Sequence, residues 1–257
     1  MRKLLLPLLL SFFLSVEAQQ SSGLRIGIEF GTFEMSGKID DRWEFRHMKS
    51  HNSFSESYYG SENVTGMGEM RYAALKSELS IWGNRITLAS GLKYTHVDEQ
   101  ISPVTDSRLY LYHPSTQGIE LFRIRGMNES LGYLSVPLEA DILLWGRLSN
   151  WQTYVKGGIE VGTKIHGKTS LDFVSKEMDK YEKEILSAAG KAPSNLFVNA
   201  YGSIGLRLIL NNGIRLAGEV SFPGSVLSKN NFSLLSTKSY SGVRFMISTP
   251  INLFSNK

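Results

Sequence analysis

The 257-residue sequence has no cysteine, which excludes a disulfide framework and a thiolate metal centre. After its first twenty residues it has no apolar run of about 18 residues, so no helix is expected to cross a membrane. It also lacks a dominant charge: 28 basic residues face 24 acidic ones, for a net of +4. So mild an excess, with no RNA- or DNA-reading motif, gives no reason to expect a nucleic-acid partner. No HExxH or comparable spacing occurs among His47, His51, His96, His113 and His166. His47 and His51 are four apart, but in a Ser- and Asn-rich segment without a carboxylate at a telling distance. The reading therefore contains no catalytic residue, no cofactor and no metal.

What is present begins with a leader. In MRKLLLPLLLSFFLSVEA, Arg2 and Lys3 precede an apolar stretch from Leu4 to Leu14, and Val16-Glu17-Ala18 makes a small-x-small cleavage site. Residues 1–18 read as a signal peptide directing export, too short to span a bilayer, with residues 19–257 as the exported domain.

That domain alternates apolar and polar residues with period two. Strands are expected near 23–36, 69–82, 85–97, 131–145, 152–166, 196–210, 214–222 and 239–253. Their connections alternate between short (Gly83-Asn84, Gly146 to Trp151, Asn211 to Gly213) and long (37–68, 98–130, 167–195, 223–238). This is the plan of an all-β, eight-stranded antiparallel up-and-down barrel. A two-residue turn at Gly83-Asn84 would set Trp82 opposite Arg85, Ile81 opposite Ile86 and Leu75 opposite Leu92. A three-residue turn ending at Gly213 would set Leu210 opposite Ile214 and Leu208 opposite Leu216. Both turns sort the strands into one apolar and one polar face.

Alternation does not say which face is inside. Three features point the apolar face toward lipid. The face from Val155 to Ile165, Leu196 to Leu210 and Ile214 to Phe222 carries no charge, as a lipid face requires when a midplane Arg or Lys costs about 2–4 kcal/mol. The other face mixes charges with glycine, which suits a narrow barrel interior. Trp82, Trp145 and Trp151 all sit beside short turns, hence at one interfacial level. A transmembrane β-barrel of the bacterial outer membrane follows as the expectation, with outer-membrane lipid and the barrel-insertion machinery as implied partners. Phe254 stands three residues short of the end, a departure from the usual last strand that such machinery reads.

The inward parity then names a charge network: Arg25, Lys76, Lys93, Lys156, Lys164, Arg207, Arg215 and Arg244, with Glu29, Glu78, Glu139, Asp141, Glu160 and Glu219. Eight strands enclose room only for side chains, so these charges should pair and plug the lumen. The transport alternative is a narrow, weakly anion-preferring porin-like channel.

In loop 167–195, Met178, Tyr181, Ile185 and Ala189 form a helical stripe that Asp172 would start and Gly190 would end. In loop 98–130, Leu109 to Tyr112 would extend a hairpin turning near Pro114 to Gly118. Either feature could bind a partner or pack over the barrel. A lesser alternative is an enzyme that modifies lipid A, using His96 with Asp98 and Ser102 at the loop end of the third strand. Pro137, inside the fourth strand, removes a ladder hydrogen bond and calls for a bulge or water.

The stretch Tyr133-Leu134-Ser135-Val136-Pro137-Leu138, a short turn, and Tyr154-Val155-Lys156-Gly157-Gly158-Ile159-Glu160-Val161-Gly162 resembles the PorT-like outer-membrane β-barrel family of Bacteroidota. The opening LRIGIEFGTF matches that family's first strand. The resemblance accounts for Pro137 as a family feature and implies an outer-membrane barrel. It implies no catalytic residues, because family members include a secretion-system factor and many barrels of unassigned role. The function expected is a non-enzymatic scaffold that binds a protein partner through its loops or its periplasmic rim.

Overall fold

The computed structural model describes residues 23–40, 43, 45–48, 58–59, 64–82, 84–103, 108–115, 118–146, 150–188, 193–228 and 231–251. The leader, His51, Gly83, Ala189, Gly190 and Phe254 lie outside them. Twelve strands are present among the described residues: β1 Leu24–Ile39, β2 Phe45–Met48, β3 Tyr58–Tyr59, β4 Val64–Ile81, β5 Ile86–Pro103, β6 Arg108–Ser115, β7 Gly118–Trp145, β8 Trp151–Phe173, β9 Leu196–Ile209, β10 Arg215–Ser221, β11 Gly224–Val226 and β12 Leu235–Pro250.

Eight of them close a ring in chain order: β1, β4, β5, β7, β8, β9, β10, β12 and back to β1, every pair antiparallel. The eight expected strands are these eight. The structure differs at the long-loop end, where β4, β5, β7 and β8 run well past their expected limits. There β6 folds back on β7 with Ser115 opposite Gly118, which is the expected hairpin. β2 pairs with β6, and β3 with β2.

The short turns set the register. Ile81 faces Ile86 and Leu75 faces Leu92, as the Gly-Asn turn requires. Across the turn Arg85 donates its N–H to the Trp82 carbonyl at 3.4 Å, while Trp82 (φ 49°) and Asn84 (φ 66°) are both left-handed and regular pairing ends at Ile81–Ile86. Trp82 thus leaves the ladder, and its ring, 76% exposed, lies on the outside of the rim. At the other hairpin Gly213 (φ 82°) takes the left-handed position and the Leu210 N–H meets the Ile214 carbonyl, as expected.

The barrel is built in two storeys. In the lower storey the outward residues are apolar, among them Ile28, Phe30, Leu75, Leu88, Leu92, Leu138, Ile142, Ile159, Val161, Ile204, Leu206, Phe245 and Ile247. Trp82, Trp145 and Trp151 are exposed at its lower edge. At its upper edge one cross-strand row reads Thr32, Arg71, His96, Gly132, His166. Above that row the pattern inverts: Asp98, Gln100, Arg123, Arg125, Asn128 and Asp172 are exposed, while Ile101, Phe122, Ile124, Met127, Leu171 and Phe173 are buried. This apolar dome also takes in Trp43, Leu111, Ile185, Leu234 and Leu235.

The expected loop helix begins later than its stripe suggested. Asp172 belongs to β8, where it lies 3.7 Å from Arg125, and caps nothing. A 3-10 turn, Lys176–Tyr181, leads into α1, Glu182–Ala188, with Ile185 buried in the dome and Met178 and Tyr181 packed against it. The 223–238 connection is not free loop: residues 231–235 are buried across the upper mouth. Pro137 creates no bulge. The β5–β7 pairing lapses between Ser90–Leu138 and Lys93–Ser135 without a change of register, and the Ser90 hydroxyl donates to the Pro137 carbonyl at 2.8 Å.

Candidate functional site

The lower storey encloses the charge network. Thirteen of the fourteen residues read from parity are buried: Arg25, Glu29, Lys76, Glu78, Lys93, Glu139, Asp141, Lys156, Glu160, Arg207, Arg215, Glu219 and Arg244. Lys164 stands apart. β8 stops pairing with β9 at Thr163 and bulges near the Gly132–Tyr133 step, so Lys164 is only half-buried. Its Nζ donates to the Pro193 carbonyl rather than to the network.

The centre of the network spans the lumen. Lys76 Nζ lies 2.7 Å from Glu29 Oε1 and 2.6 Å from Glu139 Oε2. Lys156 Nζ lies 2.5 Å from Glu219 Oε1, 3.5 Å from Glu139, 3.6 Å from Glu29 and 3.9 Å from Asp141. Arg244 reaches Glu139 at 3.6 Å and Glu219 at 4.0 Å, and its guanidinium lies 4.1 Å from the centre of the Tyr201 ring. Lys93 meets Glu160 at 2.7 Å.

Tyrosines, to which the sequence analysis gives no place in the charge network, complete the carboxylates' shells. Tyr72 donates to Glu29 at 2.5 Å, Tyr201 to Glu139 at 2.6 Å and Tyr154 to Glu219 at 2.8 Å. The glycines of the inner face make room for these rings. A Cβ on Gly31 would meet the Tyr72 ring at 2.3 Å, and one on Gly205 the Tyr154 ring at 2.5 Å. Buried charges need such pairing, because one left without a partner costs about 3–5 kcal/mol.

At the short-turn mouth the last inward layer holds three arginines. Arg207 donates to Asp141 at 2.7 Å. Arg25 donates to Ser248 Oγ at 3.3 Å, to the Ser248 carbonyl at 3.2 Å and to the Gly213 carbonyl. Glu78 lies 3.8 Å from both Arg25 and Arg215 and accepts the Ser248 hydroxyl at 2.8 Å.

The opposite mouth is closed by residues 231–235, held by two carboxylates that face each other across β5 and β7. Glu129 accepts the Ser233 N–H at 2.6 Å, the Ser233 hydroxyl and the Thr169 hydroxyl at 2.7 Å. Glu99 accepts the Leu235 N–H at 3.2 Å. Tyr133 donates to the Asn231 carbonyl at 2.7 Å and Trp43 Nε1 to the Ser233 carbonyl at 2.6 Å. Glu99 stands above the apolar belt. Burial first, and then the neighbouring Glu129 charge, push its carboxyl from 4.5 up to about 9. The Glu99 carboxyl is therefore protonated at neutral pH.

On the outside, His96 Nε2 lies 3.1 Å from Asp98 Oδ2, and Tyr94 Oη is 2.9 Å from His166 Nε2. Ser102 is on the same face as His96 but six residues along β5, about 20 Å away at roughly 3.3 Å per residue. The structure thus does not bring together the three residues of the enzymatic alternative. Arg71, hydrogen-bonded to Glu69, holds that carboxyl below its ordinary range. Among the described residues no group of three or more His, Asp or Glu could hold a metal ion.

No protein-family model matches the chain, and no curated protein matches it. Solved structures similar to it include Ail, the attachment invasion locus protein of Yersinia pestis. The two share 12% identity over 88% of this chain and 96% of that one, with a TM-score of 0.34. Another is the translocator domain of autotransporter NalP from Neisseria meningitidis, at 11% identity over 94% and 92% of the chains and a TM-score of 0.30.

Proposed function

We propose that this chain is an outer-membrane barrel that conducts nothing through its closed lumen and acts as a non-enzymatic scaffold, presenting its dome and its short-turn rim to partners. The observation that carries the reading is the inversion at the Thr32–Arg71–His96–His166 row. Below it, apolar side chains face out and charges face in; above it, the order is that of a protein in water. Such a switch suits a cylinder standing in lipid with a hydrated head. The leader-directed export, the outer-membrane address and membership of the PorT-like family belong to the same proposal. The Tyr133–Leu138 and Tyr154–Gly162 stretches support the last of these.

Closure is supported at both levels. Lys76, Lys156 and Arg244 bridge carboxylates from opposite walls, and residues 231–235 cover the upper mouth. Planar-bilayer recording of the purified chain tests it: no steady single-channel steps are expected. Regular open-channel steps would overturn it in favour of the narrow channel. A pull-down from gently solubilised membranes should recover a protein that a chain lacking residues 108–125 fails to capture.

A further inference from the structure

The short-turn mouth carries more positive charge than its own carboxylates neutralise. Arg25, Arg207 and Arg215 share the layer with Glu78 and Asp141. Asp141 is committed to Arg207 at 2.7 Å and also lies 3.9 Å from Lys156. Glu78 is 3.8 Å from each of the other two guanidiniums, and its direct hydrogen bond at 2.8 Å comes from Ser248. Arg25 and Arg215 thus divide one distant carboxylate between them.

Arg215 is the less satisfied of the two. Its terminal nitrogens reach Ser80 Oγ at 3.5 Å, the outer limit of a hydrogen bond, and its Nε is buried without a partner among the described residues. A guanidinium offers five N–H donors in a planar fork, and this one uses almost none of them well. Arg25 and Arg215 also keep 7% exposure each, against 1% for Lys76 and Arg244 deeper in the lumen. They begin β10 and nearly begin β1, beside the exposed Asn211–Gly213 turn.

We propose that Arg215 and Arg25, with the Ser80 hydroxyl, form a binding site for an oxyanion, a phosphate or a carboxylate entering from the short-turn side. A forked oxyanion brings negative charge and accepts from two guanidinium N–H groups at once, whereas a lone halide brings the charge without the fork. Entry from the other side is barred by residues 231–235. The site is defined by its own side chains, so it stands whether or not the scaffold reading holds.

The test uses the full chain folded in detergent micelles, with thermal unfolding followed by tryptophan fluorescence. Inorganic phosphate and glutarate are titrated separately against chloride at constant ionic strength. A saturable rise in Tm is expected with at least one oxyanion, and which of them works assigns phosphate or carboxylate as the ligand. Arg215→Gln should weaken the apparent affinity about tenfold, the scale of one charge-assisted hydrogen bond. Arg215→Lys should recover only part of it, while Arg71→Gln, at the opposite rim, should leave it unchanged. Should Arg215→Gln not fold, Arg25→Gln and broadening of the phosphorus NMR line of phosphate by the wild-type chain give the same reading. No saturable effect of either anion beyond chloride, or an equal effect in the folded Arg215→Gln or Arg25→Gln chain, overturns the proposal.

Discussion

The two storeys of this barrel share the long strands β4, β5, β7 and β8, yet they are filled with opposite chemistry. Below the Arg71–His96–His166 row the interior is ionic and the outside greasy. Above it Phe122, Met127, Leu171 and Phe173 form an apolar core under a charged skin. The lesson is that parity assigns a residue to a side of the wall, and the medium outside the wall decides what that side must hold. Where the surroundings are apolar, burial removes nothing from water, so hydrogen bonds and ion pairs must specify the interior. Where the surroundings are water, the hydrophobic effect does it.

Substitutions that ignore this division should be the most damaging. Lys156→Met leaves Glu219, Glu139, Glu29 and Asp141 facing one another, with an expected loss of about 5 kcal/mol in urea unfolding from micelles. A Lys156→Met/Glu219→Gln double variant should recover part of it, because one of the stranded charges is gone. Phe122→Ala in the dome should cost about 3–4 kcal/mol through its cavity. The loss should show as protease sensitivity of the head while the barrel still migrates as a folded species in the gel.

Ile159→Arg, outward in the lower storey, should cost about 2–3 kcal/mol. Asn128→Arg, equally outward but in the head, should change stability by less than about 0.5 kcal/mol. If the two arginines cost the same, the division into storeys is wrong.

The last expected effect is that of pH on the head. Glu99 titrates near 4.5 when unfolded and near 9 in place. Its stabilising contribution is therefore whole below pH 4.5 and lost as pH rises through about 9. Protease resistance of the head should fall from roughly pH 6 to pH 9.5 in the wild type, and Glu99→Gln should flatten that fall.

Much of the lower storey was legible because two tight turns pin the register, and register carries parity along each strand. The inward lysines, arginines and carboxylates followed from counting in twos. The tyrosines beside them were equally countable but look like ordinary strand residues. Their role emerges only once Gly31 and Gly205 are seen to lie under the rings.

In the sequence the head looks like loops, because the alternation that marks the lower strands does not continue into it unchanged. Hydrophobicity changes side at the Thr32–His166 row, and a bulge at Gly132–Tyr133 shifts the phase. Carrying the count on from Lys93 to Glu99, or back from Glu139 to Glu129, would have placed both carboxylates inside. Residues 231–235 gave no such handle, since their burial comes from neighbours far away in the chain. Lys164 differs for the converse reason: it keeps the inward parity, but its strand has already left its neighbour.

The seam between Leu24–Ile39 and Leu235–Pro250 joins the first and last of the described strands along nearly their whole length. Until the final strand has emerged, the wall has two raw margins and the lysines at its centre have only some of their partners. Assembly must therefore end in one late, all-or-nothing fastening. A chain shortened before Leu235 would be left as a curled ribbon with both margins open, prone to knit itself to another of its kind.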